Sequence, residues 1–349
     1  MKKIKLLSIL TISLVLFATL SGCKKSDDDD DNNNNNNNNG PWTEIGVDFF
    51  NHYVTAMCMD AAGNLYAGGA FTNSNGNYFV AKWDGTSWSQ LGADLPIEGG
   101  NILSMCIDAD GNIYATGNYT DVNYEYYVIK WNGSSWTQLP SLPVDISSIS
   151  TDNAGNLYAA LITGVVYKWD GSTWAAMNMA GFNHNTNGVL ASGSNIYVAG
   201  GGWSGGAGGA IAQWNGSSWS QMGDISSYEQ AYHLCTDASG TLYAAGGFDF
   251  QNGYVLKWTG SAWTDLGLNG NDVVKSITVS SAGNLYAGGE FANSNNKFYL
   301  AKWNGSSWSE AGTFNGTIYS IVAGPDGKVY VSGTFSNSDY KDYIAVYKE

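Results

Sequence analysis

The sequence predicts an all-β fold in which seven similar units of four short strands close into a ring. First, the stretch Ala81–Gly92 recurs five more times almost unchanged, at a period of roughly 45 residues, which indicates a repeat architecture. Second, 45 glycines and only 5 prolines separate short apolar runs, as in strands joined by tight turns. Third, the last unit lacks its fourth strand, and a matching stretch, Trp42–Gly46, precedes the first unit.

The first unit shows how the residues specify each element. Its strands, named a to d in chain order, are predicted at 53–60, 65–71, 78–83 and 88–91. The a–b turn contains Gly63 and Asn64, which accept the left-handed backbone of a tight turn. A polar loop, 72–77, joins strands b and c. The c–d turn lies between Trp83 and Trp88, whose indoles we expect to pair across the strands.

Aromatic residues recur at three positions of the repeat and show how many units the chain contains. Strand b carries a tyrosine in every unit, at Tyr66, Tyr114, Tyr158, Tyr197, Tyr243, Tyr286 and Tyr330. Strand c ends on Trp83, Trp131, Trp169, Trp214, Trp258 and Trp303, with Tyr347 in the seventh unit. Strand d opens on Trp88, Trp136, Trp174, Trp219, Trp263 and Trp308, and Trp42 supplies the seventh. Because a closed ring of four-stranded units is a β-propeller, we predict a single seven-bladed β-propeller over residues 41–349, closed by the N-terminal strand.

The N-terminus has the features of a bacterial lipoprotein signal peptide, predicted at 1–22. A positively charged start, 1–5, precedes an apolar run, 6–20, that is short for a membrane span. The following Leu20-Ser-Gly-Cys23 resembles the lipobox of bacterial lipoproteins. That resemblance implies cleavage before Cys23 and attachment of lipid to its thiol, which would anchor the protein to a membrane. The alternative is an ordinary secretory signal with a cysteine there by chance.

Residues 23–40 are predicted to be a disordered tether behind the lipidated cysteine. The segment is a run of aspartates followed by a run of asparagines, and neither can bury a core. Its acidic stretch resembles the surface-export signal of Bacteroidetes lipoproteins. The resemblance implies an outer-membrane protein that faces the extracellular side.

The charge of the chain argues against nucleic acid as a partner. The formal net charge is -15, and all 15 basic residues are lysine. Arginine, the usual bidentate partner of phosphate and guanine, is absent from the sequence. We therefore expect no nucleic-acid binding, interpret the acidity as a source of solubility, and expect a monomer.

The repeats resemble kelch repeats over the whole of 42–349. The resemblance rests on Leu65-Tyr-Ala-Gly-Gly69 before a variable loop and on the Trp-x-x-Leu pattern at 88–91. Two departures, tryptophan at the end of strand c and a shorter c–d turn, are closer to the Rax2-like repeats of cell-surface proteins. Kelch-like propellers include oxidases, sialic-acid epimerases and binding scaffolds, so the resemblance implies the fold and leaves the function open.

The candidate binding residues lie on the face that carries the d–a connections and the b–c loops. These loops differ between units and are rich in Asn, Asp, Ser, Tyr and Gly, which suits hydroxyl-rich or peptide ligands. The candidates are Trp203, Tyr124, Tyr126, Tyr78, His52 and Tyr228. Trp203 is the one tryptophan of 14 outside the repeated positions. It is a platform for a sugar or a protein contact, or alternatively a cap on its blade like Phe71 and Phe291.

The sequence predicts no metal site and no cofactor. The three histidines, His52, His184 and His233, stand in distant units, and Asp108–Asn112 reads as a plain turn although it begins like a calcium loop. Cys58, Cys106 and Cys235 share one position of strand a. They form a thiol cluster near the ring axis or, as we favour, are small buried side chains.

No motif for catalysis stands out. The chain lacks a Gly-x-Ser-x-Gly elbow, a phosphate-binding glycine loop and a His-Glu-x-x-His motif. Loop carboxylates at Asp94, Glu98, Glu229 and Asp272 leave a glycoside hydrolase or lyase as an alternative. We predict a non-catalytic binding scaffold for a glycan or a protein partner; a structural or adhesive surface protein is a second alternative.

Overall fold

The computed structural model describes residues 41–97, 99–177, 185–201, 208–228, 230–248 and 251–349. The predicted signal peptide, Cys23 and the predicted tether lie outside the described residues. Within the described part, the chain forms seven antiparallel sheets of four strands each, which confirms the predicted all-β fold. No helix in these ranges has the length and apolar character needed to span a membrane.

Each sheet is one blade, and its strands follow one another in chain order, except that the first strand of the chain belongs to the last blade. Blade 1 contains β2 (Val54–Met59), β3 (Leu65–Gly69), β4 (Ala81–Trp83) and β5 (Trp88–Gln90). Blade 2 contains β6 (Ile102–Ile107), β7 (Ile113–Gly117), β8 (Ile129–Trp131) and β9 (Trp136–Gln138). Blade 3 contains β10 (Ile146–Thr151), β11 (Leu157–Leu161), β12 (Val165–Trp169) and β13 (Trp174–Met177). Blade 4 contains β14 (Asn185–Ser192), β15 (Asn195–Gly201), β16 (Gly209–Trp214) and β17 (Trp219–Gln221).

The remaining blades follow the same order. Blade 5 contains β18 (Ala231–Thr236), β19 (Leu242–Phe248), β20 (Gln251–Trp258) and β21 (Trp263–Asp265). Blade 6 contains β22 (Val274–Val279), β23 (Leu285–Gly289), β24 (Phe298–Trp303) and β25 (Trp308–Phe314). Blade 7 contains β26 (Ile318–Ala323), β27 (Lys328–Gly333), β28 (Ile344–Lys348) and β1 (Trp42–Ile45).

The first strand of every blade lies at the centre of the ring. β2, β6, β10, β14, β18, β22 and β26 each contact the corresponding strand of the next blade, and β26 contacts β2. Between neighbouring blades lie seven apolar clusters, one for each pair. The core is therefore divided among the blade interfaces, because a four-stranded sheet can bury its apolar faces only against its two neighbours.

The N-terminal strand closes the ring as the sequence predicts. β1 pairs antiparallel with β28, with Trp42 opposite Tyr347 and Ile45 opposite Ile344. Ile45 also packs against the apolar cluster between blades 7 and 1. The last blade thus takes its outer strand from the N-terminal side of the propeller sequence and its other three strands from the C-terminal side.

Strand c of the first blade is shorter than predicted. The sequence suggests a strand over 78–83, but β4 spans only Ala81–Trp83. Tyr78 instead forms an isolated bridge with Thr72 across the b–c loop. Because the loop closes on itself through this bridge, regular pairing with the next strand begins only at Ala81.

The paired tryptophans of strands c and d perform two structural tasks. Their ring centroids lie 5.1 to 5.6 Å apart in blades 1 to 6, as predicted from their position across the turn. In addition, strand-d indoles donate to a carbonyl of the preceding blade, as from Trp136 to Leu91 (2.9 Å) and from Trp263 to Met222 (2.7 Å). The indole N–H groups of Trp88 and Trp219 are buried without a partner among the described residues.

In every blade except blade 4, a carboxylate accepts hydrogen bonds at the a–b turn. In blade 1, Asp60 accepts the backbone N–H of Asn64 (2.8 Å) and the hydroxyl of Tyr66 (3.1 Å). Blade 6 has serine at the corresponding position, and Glu349 replaces the missing carboxylate by accepting from Tyr286 (2.5 Å). These hydrogen bonds occupy the turn face with structural contacts, so functional groups are better sought on the opposite face.

Candidate functional site

Every inner strand carries a β-bulge near its start. In each blade the pairing between the first two strands skips one residue, and the skipped residues are Thr55, Leu103, Ser147, Asn187, Tyr232, Lys275 and Tyr319. A bulge inserts an unpaired residue that redirects its side chain, and bulges are frequent beside active sites. The seven residues are called the bulge ring below.

The bulge ring surrounds a cavity on the ring axis. All seven of its members line the cavity, whose volume is 560 Å³. The cavity lies toward the ends where the inner strands begin, which is the face of the d–a connections and b–c loops. A volume of this size falls in the range of roughly 300–1,000 Å³ that is usual for small-molecule sites.

One side of the cavity mouth is aromatic. Blades 5, 6, 7 and 1 contribute Tyr232, Lys275, Tyr319 and Tyr53, which are half-buried and form what we name the axial aromatic cluster. The Lys275 ammonium lies 4.9 Å from the ring centroid of Tyr232 and 3.5 Å from a carboxylate oxygen of Glu290. The rings of Tyr53 and Tyr319 are 6.2 Å apart. Blades 2 to 4 contribute an aliphatic side chain, a hydroxyl and an amide instead.

A second ring of small polar side chains lies next to the bulge ring and joins the blades. The hydroxyls of Ser104, Ser148 and Ser276 each accept a backbone N–H from the inner strand of the next blade, at 3.1 to 3.3 Å. In blade 5 the same position is His233, whose Nδ1 accepts the N–H of Ile277 at 3.4 Å. These residues line the cavity and also hold its wall together.

His233 is a neutral imidazole at neutral pH. Burial lowers its pKa to about 4, because the charged form loses its hydration. Since Nδ1 accepts a hydrogen bond, the single ring proton lies on Nε2. The side chain therefore supplies one fixed donor and no titratable proton near pH 7.

The inner-strand cysteines are unreactive thiols. Cys58 is buried, Cys106 lines the cavity, and all three inner-strand cysteines are free. Burial, followed by the charge of Asp60, raises the pKa of Cys58 to about 12, and burial likewise raises the pKa of Cys106 and Cys235. A thiol that stays protonated is a poor nucleophile and a poor metal ligand.

The cavity lining carries little charge. Among the described residues that line it, Lys275 is the only charged side chain, and Glu290 balances it. No group of three or more His, Cys, Asp or Glu suited to hold a metal occurs in the described part of the chain. The lining is dominated by tyrosine rings, hydroxyls, amides and aliphatic side chains.

The loop carboxylates of the hydrolase alternative do not line the cavity where they are described. Asp94 accepts from the side-chain amides of Asn73 (2.8 Å) and Asn77 (2.7 Å), and so holds a b–c loop. These amide donors stabilise its charged form and lower its pKa. Asp272 accepts the N–H of Val273 at 2.8 Å. Glu98 and Glu229 lie outside the described residues.

The residues predicted from the sequence are spread around the loop face, and none of those described lines the cavity. Tyr124 is 84% exposed, whereas Tyr78 and Tyr126 are half-buried against the blade cores. Tyr228 packs on Tyr254 at 4.9 Å. His52 packs edge-on against Tyr53 at 4.3 Å and so stands beside the mouth. Trp203 lies outside the described residues.

Sequence reasoning did not single out the axial aromatic cluster. The repeats nonetheless contain a sequence pattern that indicates the residues of this cluster. When the inner strands are aligned on the a–b turn, the bulge position varies from blade to blade, while the residues on either side of it stay small or apolar except at His233. A variable position within an otherwise repeated strand indicates a residue that the scaffold does not require.

Comparison with known proteins identifies the fold alone. No protein-family model matches the chain, and no curated protein sequence matches it. A catalytically inactive variant of virginiamycin B lyase from Staphylococcus aureus, solved with quinupristin, is 10% identical with a TM-score of 0.67, covering 88% of this chain and 99% of the lyase.

Two further solved structures are also similar to this chain. YCF48 bound to D1 peptide is 14% identical with a TM-score of 0.63, covering 89% of this chain and 97% of that one. The WD40 β-propeller domain of Doa1 is 12% identical with a TM-score of 0.61, covering 85% and 93%. At such low identity these similarities support a seven-bladed propeller scaffold and leave the choice between lyase and binding protein open.

Proposed function

We propose that this protein is a non-catalytic binding protein that holds a glycan at the axial cavity. The observation that carries the proposal is the bulge ring, because it directs one residue from each of seven blades toward a single 560 Å³ cavity. The fold alone needs no tyrosine or lysine at these positions, since other blades place threonine or serine there.

The chemistry of the mouth suits a sugar. Tyrosine rings offer flat apolar faces on which a pyranose stacks. The amide of Asn187 and the hydroxyls of Ser104, Ser148 and Ser276 are polar groups of the same lining. The Lys275 ammonium has three donors and forms an ion pair with Glu290 at 3.5 Å, and a sugar hydroxyl can accept a hydrogen bond from the same ammonium.

The same lining supports binding over catalysis. Glycoside cleavage generally uses two carboxyl groups placed across the scissile bond, and the described lining contains no aspartate or glutamate. The neutral imidazole of His233 and the protonated thiol of Cys106 do not replace them. The hydrolase alternative would therefore need residues outside this cavity.

A titration of polysaccharides against a protein spanning residues 41–349 tests the proposal. We expect Tyr232→Ala and Tyr319→Ala each to weaken binding roughly five- to tenfold, which corresponds to about 1 kcal/mol for one aromatic contact. Tyr232→Phe keeps the ring and should retain most of the affinity. Loss of binding in Trp203→Ala alone would move the site to that loop, and unchanged binding in both tyrosine variants would refute the axial site.

The proposed location is the outer face of a bacterial outer membrane, with lipid on Cys23 and the propeller as a monomer on its tether. Support comes from the lipobox-like and acidic segments of the N-terminus and from the kelch-like and Rax2-like character of the repeats. Cys23→Ala should release the protein from the membrane fraction. Protease added to intact cells should degrade the propeller, and protection until lysis would contradict the outward orientation.

A protein partner is the second candidate, and a separate groove favours it. Leu95, Pro96, Ile97, Val122 and Tyr127 line a groove of 490 Å³ between blades 1 and 2. YCF48, which has a similar fold, has been solved with a bound peptide. If peptides bind and polysaccharides do not, and Val122→Asp abolishes that binding, this candidate replaces the glycan.

A further inference from the structure

Four b–c loops form the same turn. Those of blades 1, 2, 6 and 7 begin with Asn73, Asp121, Asn293 and Asn337, and each of these side chains accepts the backbone N–H groups two and four residues later. The fourth residue of each turn has a positive φ, at Gly76 (79°), Tyr124 (63°), Asn296 (56°) and Tyr340 (60°). The backbone of the turn is thus set by its first and fourth residues.

Tyrosine is a costly choice for the fourth position. Glycine has no Cβ to clash in the left-handed region and asparagine tolerates it, whereas a bulky residue there is an outlier. Blades 1 and 6 make the turn with Gly76 and Asn296, so the fold does not require tyrosine. Nor does burial compensate, because Tyr124 is 84% and Tyr340 is 90% exposed. Strain that the fold does not need points to a function.

The two tyrosines lie on the face that holds the cavity mouth. Blades 2 and 7 are the two neighbours of blade 1, so Tyr124 and Tyr340 flank that blade on its b–c side. Tyr53, from the start of blade 1, belongs to the axial aromatic cluster. The three residues therefore belong to three consecutive blades at one face of the ring.

We propose that Tyr124 and Tyr340 are stacking platforms that extend the axial site along a polysaccharide chain. The inference rests on the proposed glycan-binding function and names its ligand as a polymer rather than a single sugar. A ligand that occupies the axis and also reaches the rim gains affinity through linked contacts.

The surroundings of the two rings favour a sugar polymer over a protein. Tyr124 is followed by Glu125, and Tyr340 is preceded by Asp339, so each tyrosine has an exposed acidic residue beside it in the chain. An apolar protein surface would bury these charges unpaired, whereas sugar hydroxyls can donate to them. Among the described residues, five large apolar side chains are well exposed, and they come from three different blades. A protein interface usually presents a broad continuous apolar patch instead.

The test compares affinity with chain length. The probe is a series of oligosaccharides of increasing length, cut from the polysaccharide that the wild type binds best. We expect wild-type affinity to rise with length and the double variant Tyr124→Asn/Tyr340→Asn to lose roughly fivefold or more on the long chains only. Ser338→Ala, at an exposed position in the same loop as Tyr340, is the matched control and should bind like the wild type.

Thermal melting separates a binding role from a structural one. Asparagine already occupies the turn at Asn296, so the double variant should melt at the same or a higher temperature than the wild type. A lower melting temperature would mean that the tyrosines support the fold, and would overturn the inference. Equal affinity for short and long chains would also overturn it while leaving the axial site intact. If no polysaccharide binds at all, the proposed function fails and this inference fails with it.

Discussion

Replacement of Trp42 by alanine tests how the ring is held closed. Trp42 opens β1, the outer strand of blade 7, and contacts two blades. Its Nε1 donates to the carbonyl of Ala311 in blade 6 at 2.9 Å. Its ring lies 5.3 Å from Phe314 and 5.1 Å from Tyr347. The substitution removes all of these contacts and leaves the strand pairing of β1 with β28 in place.

The expected loss follows from these contacts. The hydrogen bond contributes about 1 kcal/mol. The two aromatic contacts contribute about 0.5–1.5 kcal/mol each beyond their buried area. Removal of a fully buried tryptophan costs about 3–5 kcal/mol, but Trp42 is only half-buried. We therefore expect the free energy of unfolding to fall by about 3 kcal/mol.

Urea unfolding followed by circular dichroism measures this loss on a protein spanning 41–349. Trp42→Phe is the matched control, because it keeps a ring against Phe314 and Tyr347 but loses the hydrogen bond and the part of the indole that packs on Gly312, so its loss should be about 1–2 kcal/mol. The dependence on urea should stay the same, since the folded state still buries the same blades. A loss below about 1 kcal/mol for Trp42→Ala would refute the view that this side chain holds the ring closed.

Two further predictions concern single side chains of the scaffold. Trp136→Phe removes the indole hydrogen bond to Leu91, whereas Trp88→Phe removes an indole N–H that has no partner in the described part of the chain. Both variants lose the same part of the ring, so Trp136→Phe should lose about 1 kcal/mol more stability than Trp88→Phe in the same urea assay, and equal losses would contradict this assignment. Because burial lowers the pKa of His233 to about 4, the unfolded state binds more protons below the ordinary pKa of 6.5, and stability should fall as the pH drops from about 6.5 to about 4. His233→Asn should flatten this part of the stability profile, and an unchanged slope would show that His233 is not its source.

The binding residues were harder to predict than the blades. The sequence directs attention to exposed aromatic residues in variable loops, among them Tyr124 and Tyr228. The structure shows that Tyr228 packs on Tyr254, while Tyr232, four residues later, lines the cavity. The difference arises from the bulge in β18, which a strict alternation of side chains along the strand does not reveal.

The sequence by itself determined the number of blades, their four strands and the closing role of Trp42. Those features depend on turns and spacings of nearby residues, which the chain repeats in each unit. Only the tertiary structure decided which side chains of different blades meet, because contacts such as Lys275 with Tyr232, or Glu349 with Tyr286, join residues far apart in the chain. Such contacts depend on how the blades are placed around the axis, and no local pattern encodes that placement.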